Sequence, residues 1–186
     1  MIDPIEDNLR IFFRDPNEIP EAFGTHGVLY LLRRDVVRCV QNDNVILFPA
    51  LMMMLAGIDL LGKFYAGSDA GSFVGDRFRN FIIEYFTSVS DEDAETLYQL
   101  RNALLHSFGL FSRGRGGKEY HFAIGPATRF VNAFEGRYYI NPKDLYAQFE
   151  SAIQQYQEDL SSDAALRAKF QAMFDRYGTT ILGVEK

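Results

Sequence analysis

The sequence predicts a mainly α protein: a bundle of four to six helices with a small β-hairpin or short antiparallel sheet inserted after the fourth. Three observations carry this. Apolar residues recur at three- and four-residue spacing through several segments. Strand-like runs rich in Tyr, Phe, Val and Ile are confined to residues 119–140. Capping and turn residues fall at intervals that suit helices joined by short loops.

Residues 1–27 read as an irregular arm, punctuated by Pro4, Pro16, Pro20, Gly24 and Gly27 and pinned to the body by Ile11, Phe12, Phe13 and Phe23. A first helix is predicted over 28–41, with Leu29, Leu32, Val36 and Val40 on one side. A second, very apolar helix covers 44–65, and 66–72 is a loop by composition. A third follows over 73–87. The fourth has the clearest start: Ser90 as cap, Asp93 in the capping-box place, and Asp91, Glu92, Asp93 and Glu95 in the first turn. It should end at Gly109, whose freedom at positive φ suits a C-terminal cap. Residues 112–118 form a basic, glycine-rich loop. Short strands are predicted at 119–124, 129–134 and 137–140, with turns at Gly125-Pro126 and Glu135-Gly136. Asn141-Pro142 opens a fifth helix, and a last one covers 162–177. The whole reads as one domain: arm 1–27, core helices 28–108, basic loop and β insertion 109–140, C-terminal helices 141–178.

A chain of 186 residues, 47% hydrophobic with 17 Phe and 10 Tyr, can bury a sizeable core without staples. Cys39 has no partner for an internal disulfide and reads as a buried small hydrophobe. The first ten residues lack the apolar run of a secretory signal, so the cytoplasm is expected. The stretch from Val45 to Leu61 is broken by Pro49, Gly57 and Asp59, so it reads as a buried core helix and no membrane is expected. A net charge of −6 argues against a protein that coats nucleic acid without specificity. Within 109–140, however, Arg113, Arg115, Lys118, Arg129 and Arg137 face only Glu119 and Glu135.

The three histidines, His26, His106 and His121, are not at metal-ligand spacing and no cysteine cluster exists, so no metal or cofactor is expected. The loop at 113–118 lacks the Gly-Lys-Ser/Thr ending of a P-loop. No Gly-x-Ser-x-Gly elbow is present. His121 reads as a solvent-facing strand residue, His26 as part of a turn, and Met52, Met53 and Met54 as core filling.

The fourth helix holds the pointed feature. At 100° per residue, Leu97, Leu100, Leu104 and Phe108 form an apolar stripe with Arg101 and Leu105 at its margin. Tyr98, Asn102 and His106 form a second line turned away from it. Arg101 and His106 differ by about 140°, but an arginine can lay its stem along apolar surface and reach round. Both groups could then meet one phosphate: a guanidinium offers a charged planar fork of donors, and an imidazole moves protons near neutrality. Asn102 can fix the ring or donate to a phosphate oxygen. Arg113, Arg115 and Lys118 are the candidate RNA- or phosphate-binding residues, with Tyr98 and Asp59 in support.

Here the chain resembles the HEPN family of small helical domains. The residues that carry the resemblance are Arg101-Asn102, then Ala103, Leu104, Leu105 and His106, flanked by Leu97-Tyr98-Gln99-Leu100 and Ser107-Phe108-Gly109-Leu110. Asp59 looks similar to a polar position of that family. The resemblance covers residues 28–160. It implies a homodimer in which two motifs face each other and, in catalytic members, cleave RNA without metal. Other members keep the fold and bind nucleotides or proteins, including antitoxin partners. Three readings therefore stand: a metal-independent endoribonuclease, a non-catalytic dimer binding a nucleotide or partner protein, and an ordinary exposed helix face. The 109–140 insertion could gate the site or cover it.

Overall fold

The computed structural model describes residues 4–21, 24–41, 47–125 and 127–182. Phe23, the expected start of the second helix at 44, and Pro126 of the expected turn lie outside them. The described chain runs α1 (Pro4–Phe12), β1 (Gly24–Gly27), α2 (Val28–Gln41), α3 (Leu47–Ala66), α4 (Val74–Tyr85), α5 (Asp91–Ser107), β2 (Phe111–Arg113), β3 (Glu119–Ile124), β4 (Val131–Phe134), β5 (Arg137–Ile140), α6 (Pro142–Ser162), α7 (Ala164–Tyr177) and β6 (Thr179–Leu182). Short 3-10 turns precede α4 and interrupt the 113–118 loop. The protein is thus a helical bundle with a small sheet after the helix that carries Arg101 and His106.

Helix α3 is the hub, packing against α2, α4, α5, α6 and α7. It is long and apolar enough to cross a membrane by composition, yet 50% of that span is buried among its neighbours, as in a core helix. Around it the core is aromatic. Phe12 stacks on Phe64 with ring centroids 4.5 Å apart, and Phe170 sits 5.2 Å from Phe64. Phe81, Tyr85 and Tyr156 form a second ring cluster. Such rings bury large areas with edge-on and offset geometry.

The arm is not irregular. Pro4 takes the first helical position, Glu6 and Asp7 fill the first turn, and Arg10 the last, so charge and proline placement agree with the helix dipole. Leu9, Phe12 and Phe13 are buried. Residues 24–27, read as punctuation and turn, pair antiparallel with β6, a strand the sequence reading lacks. His26 is therefore a strand residue, 4% exposed, rather than part of a turn. Gly27 fits because a Cβ there would lie 2.3 Å from the Ile11 carbonyl oxygen. Cys39 is only partly buried.

In the insertion, β4 and β5 form the expected hairpin around Glu135 and Gly136, both at positive φ, the geometry that matches strand twist. Strands β3 and β2 extend it to four in the order β2-β3-β5-β4, with β3 and β5 parallel. Phe122 of β3 is buried, while His121 points outward and is exposed.

Candidate functional site around Arg101 and His106

Helix α5 is set by its first turn. The Ser90 side chain accepts from the Asp93 N–H and the Asp93 carboxylate accepts from the Ser90 N–H, closing the capping box. Burial alone would raise the Asp93 carboxyl. The bonds from Ser90 and the Arg129 guanidinium, 3.1 Å away, outweigh it and hold the carboxyl below its ordinary value. Ala94, Leu97, Leu100, Ala103 and Leu104 then face the core. Phe108 does not complete this stripe. The helix ends at Ser107, and Phe108 is the left-handed cap at φ 49°, 74% exposed. The Gly109 N–H bonds back to the Ala103 carbonyl, so glycine follows the positive-φ position instead of occupying it.

With the core face fixed, Tyr98 and Asn102 are half-buried and His106 is exposed. Arg101 lies at the margin and turns toward α3. Its Nη2 donates to Asp59 Oδ2 at 2.6 Å, with only 13% and 15% of the two side chains exposed. The other arm, Nη1, lies 2.6 Å from His106 Nε2 and 3.2 Å from Asn102 Oδ1. A guanidinium has no acceptor. A hydrogen bond between it and the ring therefore runs from Nη1 to Nε2. Asn102 serves the guanidinium and makes no bond to the ring. Arg101 Nε and Asp59 Oδ1 are buried without a hydrogen-bond partner. The pair thus meets end-on, not through two parallel bonds.

The basic residues divide. Arg113 is paired with Glu119 at 2.5 Å, both exposed. Lys118 bonds Glu92 at 3.0 Å and lies over the Tyr120 ring at 5.0 Å. Its bond to Glu92, then one to the Tyr138 hydroxyl, raise the ammonium above its ordinary value, so it stays charged. Arg115 is exposed in the glycine turn. Arg115, Lys118 and Tyr98 line one cleft of about 450 Å³, together with Arg79, Glu95 and Gln99. Arg101, Asn102 and His106 do not line it. Arg113 apart, the expected site residues therefore occupy two places along α5. The Arg101–Asp59–His106 cluster sits at the C-terminal end and the cleft one turn before Asn102.

Sequence reasoning missed Arg79, Glu95 and Gln99. The Glu95–Gln99 spacing of four was a usable sign, since the Gln99 amide donates to Glu95 at 2.7 Å. Nothing local in the sequence brings Arg79 to them. Among the described residues, no three His, Cys, Asp or Glu side chains gather as a metal-ligand set. No family model matches the chain, and neither a curated protein nor a solved structure matches it.

Proposed function

We propose that the chain is a metal-independent endoribonuclease of the HEPN type, working in the cytoplasm as a homodimer. Its Arg101, Asn102 and His106 would meet a second set across the dimer axis. The observation that supports this is the 2.6 Å contact between Arg101 Nη1 and His106 Nε2, with Asp59 bracing the guanidinium from behind. Such a pair sets an imidazole, able to take a proton once a bound phosphate draws Arg101 Nη1 away from Nε2, beside a fixed positive charge, able to stabilise an anionic phosphorane. In the reaction a ribose 2′-OH attacks the adjacent phosphate. One His106 accepts its proton, the other protonates the leaving 5′-oxygen, and both guanidinium groups face the developing charge. DNA has no 2′-OH and would not react.

The second reading is a non-catalytic dimer that binds a nucleotide or a partner protein. Ion pairing favours it: Glu119, Glu92 and Asp93 neutralise Arg113, Lys118 and Arg129, which leaves less free charge for RNA.

The test is incubation of the purified protein with structured and unstructured RNA in EDTA, beside His106→Ala. Cleavage by the wild type that the variant lacks supports the nuclease. No cleavage of any RNA, with nucleotide binding retained, supports the second reading.

A further inference from the structure

We infer that the cleft between the start of α4, the outer face of α5 and the 113–118 loop is a nucleotide site. It would take a base against the Arg79 guanidinium and a phosphate at Arg115. The reading rests on the proposed nuclease only for the path of an RNA strand. The cleft's own chemistry stands apart from it.

Arg79 forms the floor. Its Nη2 bonds Asp76 Oδ1 at 2.7 Å and its Nη1 bonds Glu95 Oε2 at 2.8 Å. One face of the guanidinium lies over the Tyr98 ring, 4.9 Å from its centroid. Both ends and one face are therefore held, and the side chain, 26% exposed, lines the cleft. A fixed guanidinium plane is a stacking surface for a nucleobase. The backbone is shaped to allow this stack, because a Cβ on Gly75 would lie 2.9 Å from Tyr98 Cζ and 3.2 Å from Arg79 Nη1. Beside it, Gln99 is 5% exposed, its amide locked between Glu95 and the Ser112 hydroxyl, which donates at 2.6 Å. A Cβ on Gly114 would lie 3.0 Å from Tyr120 and 3.4 Å from the Gln99 amide, so the loop too approaches as only glycine permits.

The charges select the ligand. Asp76 and Glu95 both bond Arg79, which offsets one of their two charges, and Lys118 is tied to Glu92. Arg115 remains at the rim, exposed and flanked by Gly114, Gly116 and Gly117, two of them at positive φ. Among the described residues that line the cleft, Arg115 is the basic one outside an ion pair, and its guanidinium beside the polar floor matches one phosphate attached to one base. The space, about 450 Å³, is of small-ligand size.

Tyr98, Asn102 and His106 stand in line on α5, and eight residues of helix span about 12 Å. A nucleotide in the cleft is thus within a short stretch of strand from His106. The same chemistry could come from a free mononucleotide or from one unit of an RNA chain.

The test is a titration of the full chain with AMP and, separately, with a labelled oligoadenylate, for wild type, Arg115→Glu and Arg137→Glu. Thermal melts confirm that the variants fold. Arg137 is exposed on β5 and does not line the cleft, so its variant carries the same charge change elsewhere. The expected result is saturable binding that Arg115→Glu weakens at least about tenfold and Arg137→Glu leaves unchanged. Binding of AMP alone identifies a free-nucleotide site, and binding of the oligonucleotide only identifies a strand subsite. Either supports the inference. No binding of either probe, or equal weakening by both variants, overturns it. RNA cleavage with no Arg115-dependent binding would sink the cleft and leave the nuclease standing, and Arg115-dependent AMP binding without cleavage would do the reverse.

Discussion

Arg101 Nη1 lies 2.6 Å from His106 Nε2 although the residues are five apart on α5 and project in different directions from it. The contact exists because Asp59, on the neighbouring α3, takes the other arm of the guanidinium. One carboxylate in a helix that is otherwise almost wholly apolar thereby fixes the geometry at the end of another helix.

Replacing that carboxylate should show its weight. Asp59→Ala leaves the guanidinium largely buried and unpaired, and should cost about 3 kcal/mol, the lower end for a broken buried pair. Urea unfolding measures it. Arg101→Lys keeps the charge but loses the planar fork, so one side chain can no longer serve Asp59 and His106 together. RNA cleavage should fall at least about tenfold, with a smaller stability loss than Asp59→Ala gives.

The capping box predicts an acid limb. A carboxyl held low in the folded state stabilises fully above its unfolded value near 3.9, and that contribution is lost as pH falls through the folded value. Asp93→Asn should lower stability by about 1 kcal/mol at neutral pH. Thermal melts of variant and wild type should converge once the pH falls below the folded value. A difference that persists there would mean the carboxylate charge is not the source.

Phe108 holds a left-handed backbone conformation that costs a non-glycine residue about 1 kcal/mol, and with 74% exposure its ring repays little by burial. Phe108→Gly should therefore stabilise the isolated protein by about that amount. Chemical denaturation distinguishes this from a ring that packs, whose removal would destabilise.

Gly27→Ala should be among the harshest single changes, because the new methyl meets Ile11 and Phe12 backbone rather than a movable side chain. A loss at or above about 3 kcal/mol is expected, with α1 exchanging its amides faster than α6.

What was legible in the sequence follows from how local its causes are. Helix α2 runs Val28–Gln41 and β5 runs Arg137–Ile140, both as the sequence predicts, because periodicity and turn residues adjacent in sequence decide them. The capping box was readable for the same reason. Helix α1 was readable too, in Pro4, Glu6, Asp7 and Arg10, but the prolines that follow masked it. Strands β1 and β6 were not, since each is a strand only through pairing across the length of the chain. At the site, helical phase placed His106 outward. The Asp59 brace and the Arg79–Tyr98 floor needed two helices each, and no spacing rule reports such contacts.

The most direct test of the central claim is the chemistry of the cut ends. An RNA oligonucleotide is incubated with the protein in EDTA and its products are weighed, beside a copy with a single 2′-deoxy sugar at the mapped position. Wild type should leave a 2′,3′-cyclic phosphate and a free 5′-hydroxyl, and neither His106→Ala nor the 2′-deoxy substrate should give that product. Ends bearing a 5′-phosphate, or equal cutting by His106→Ala, would contradict the role given to Arg101 and His106.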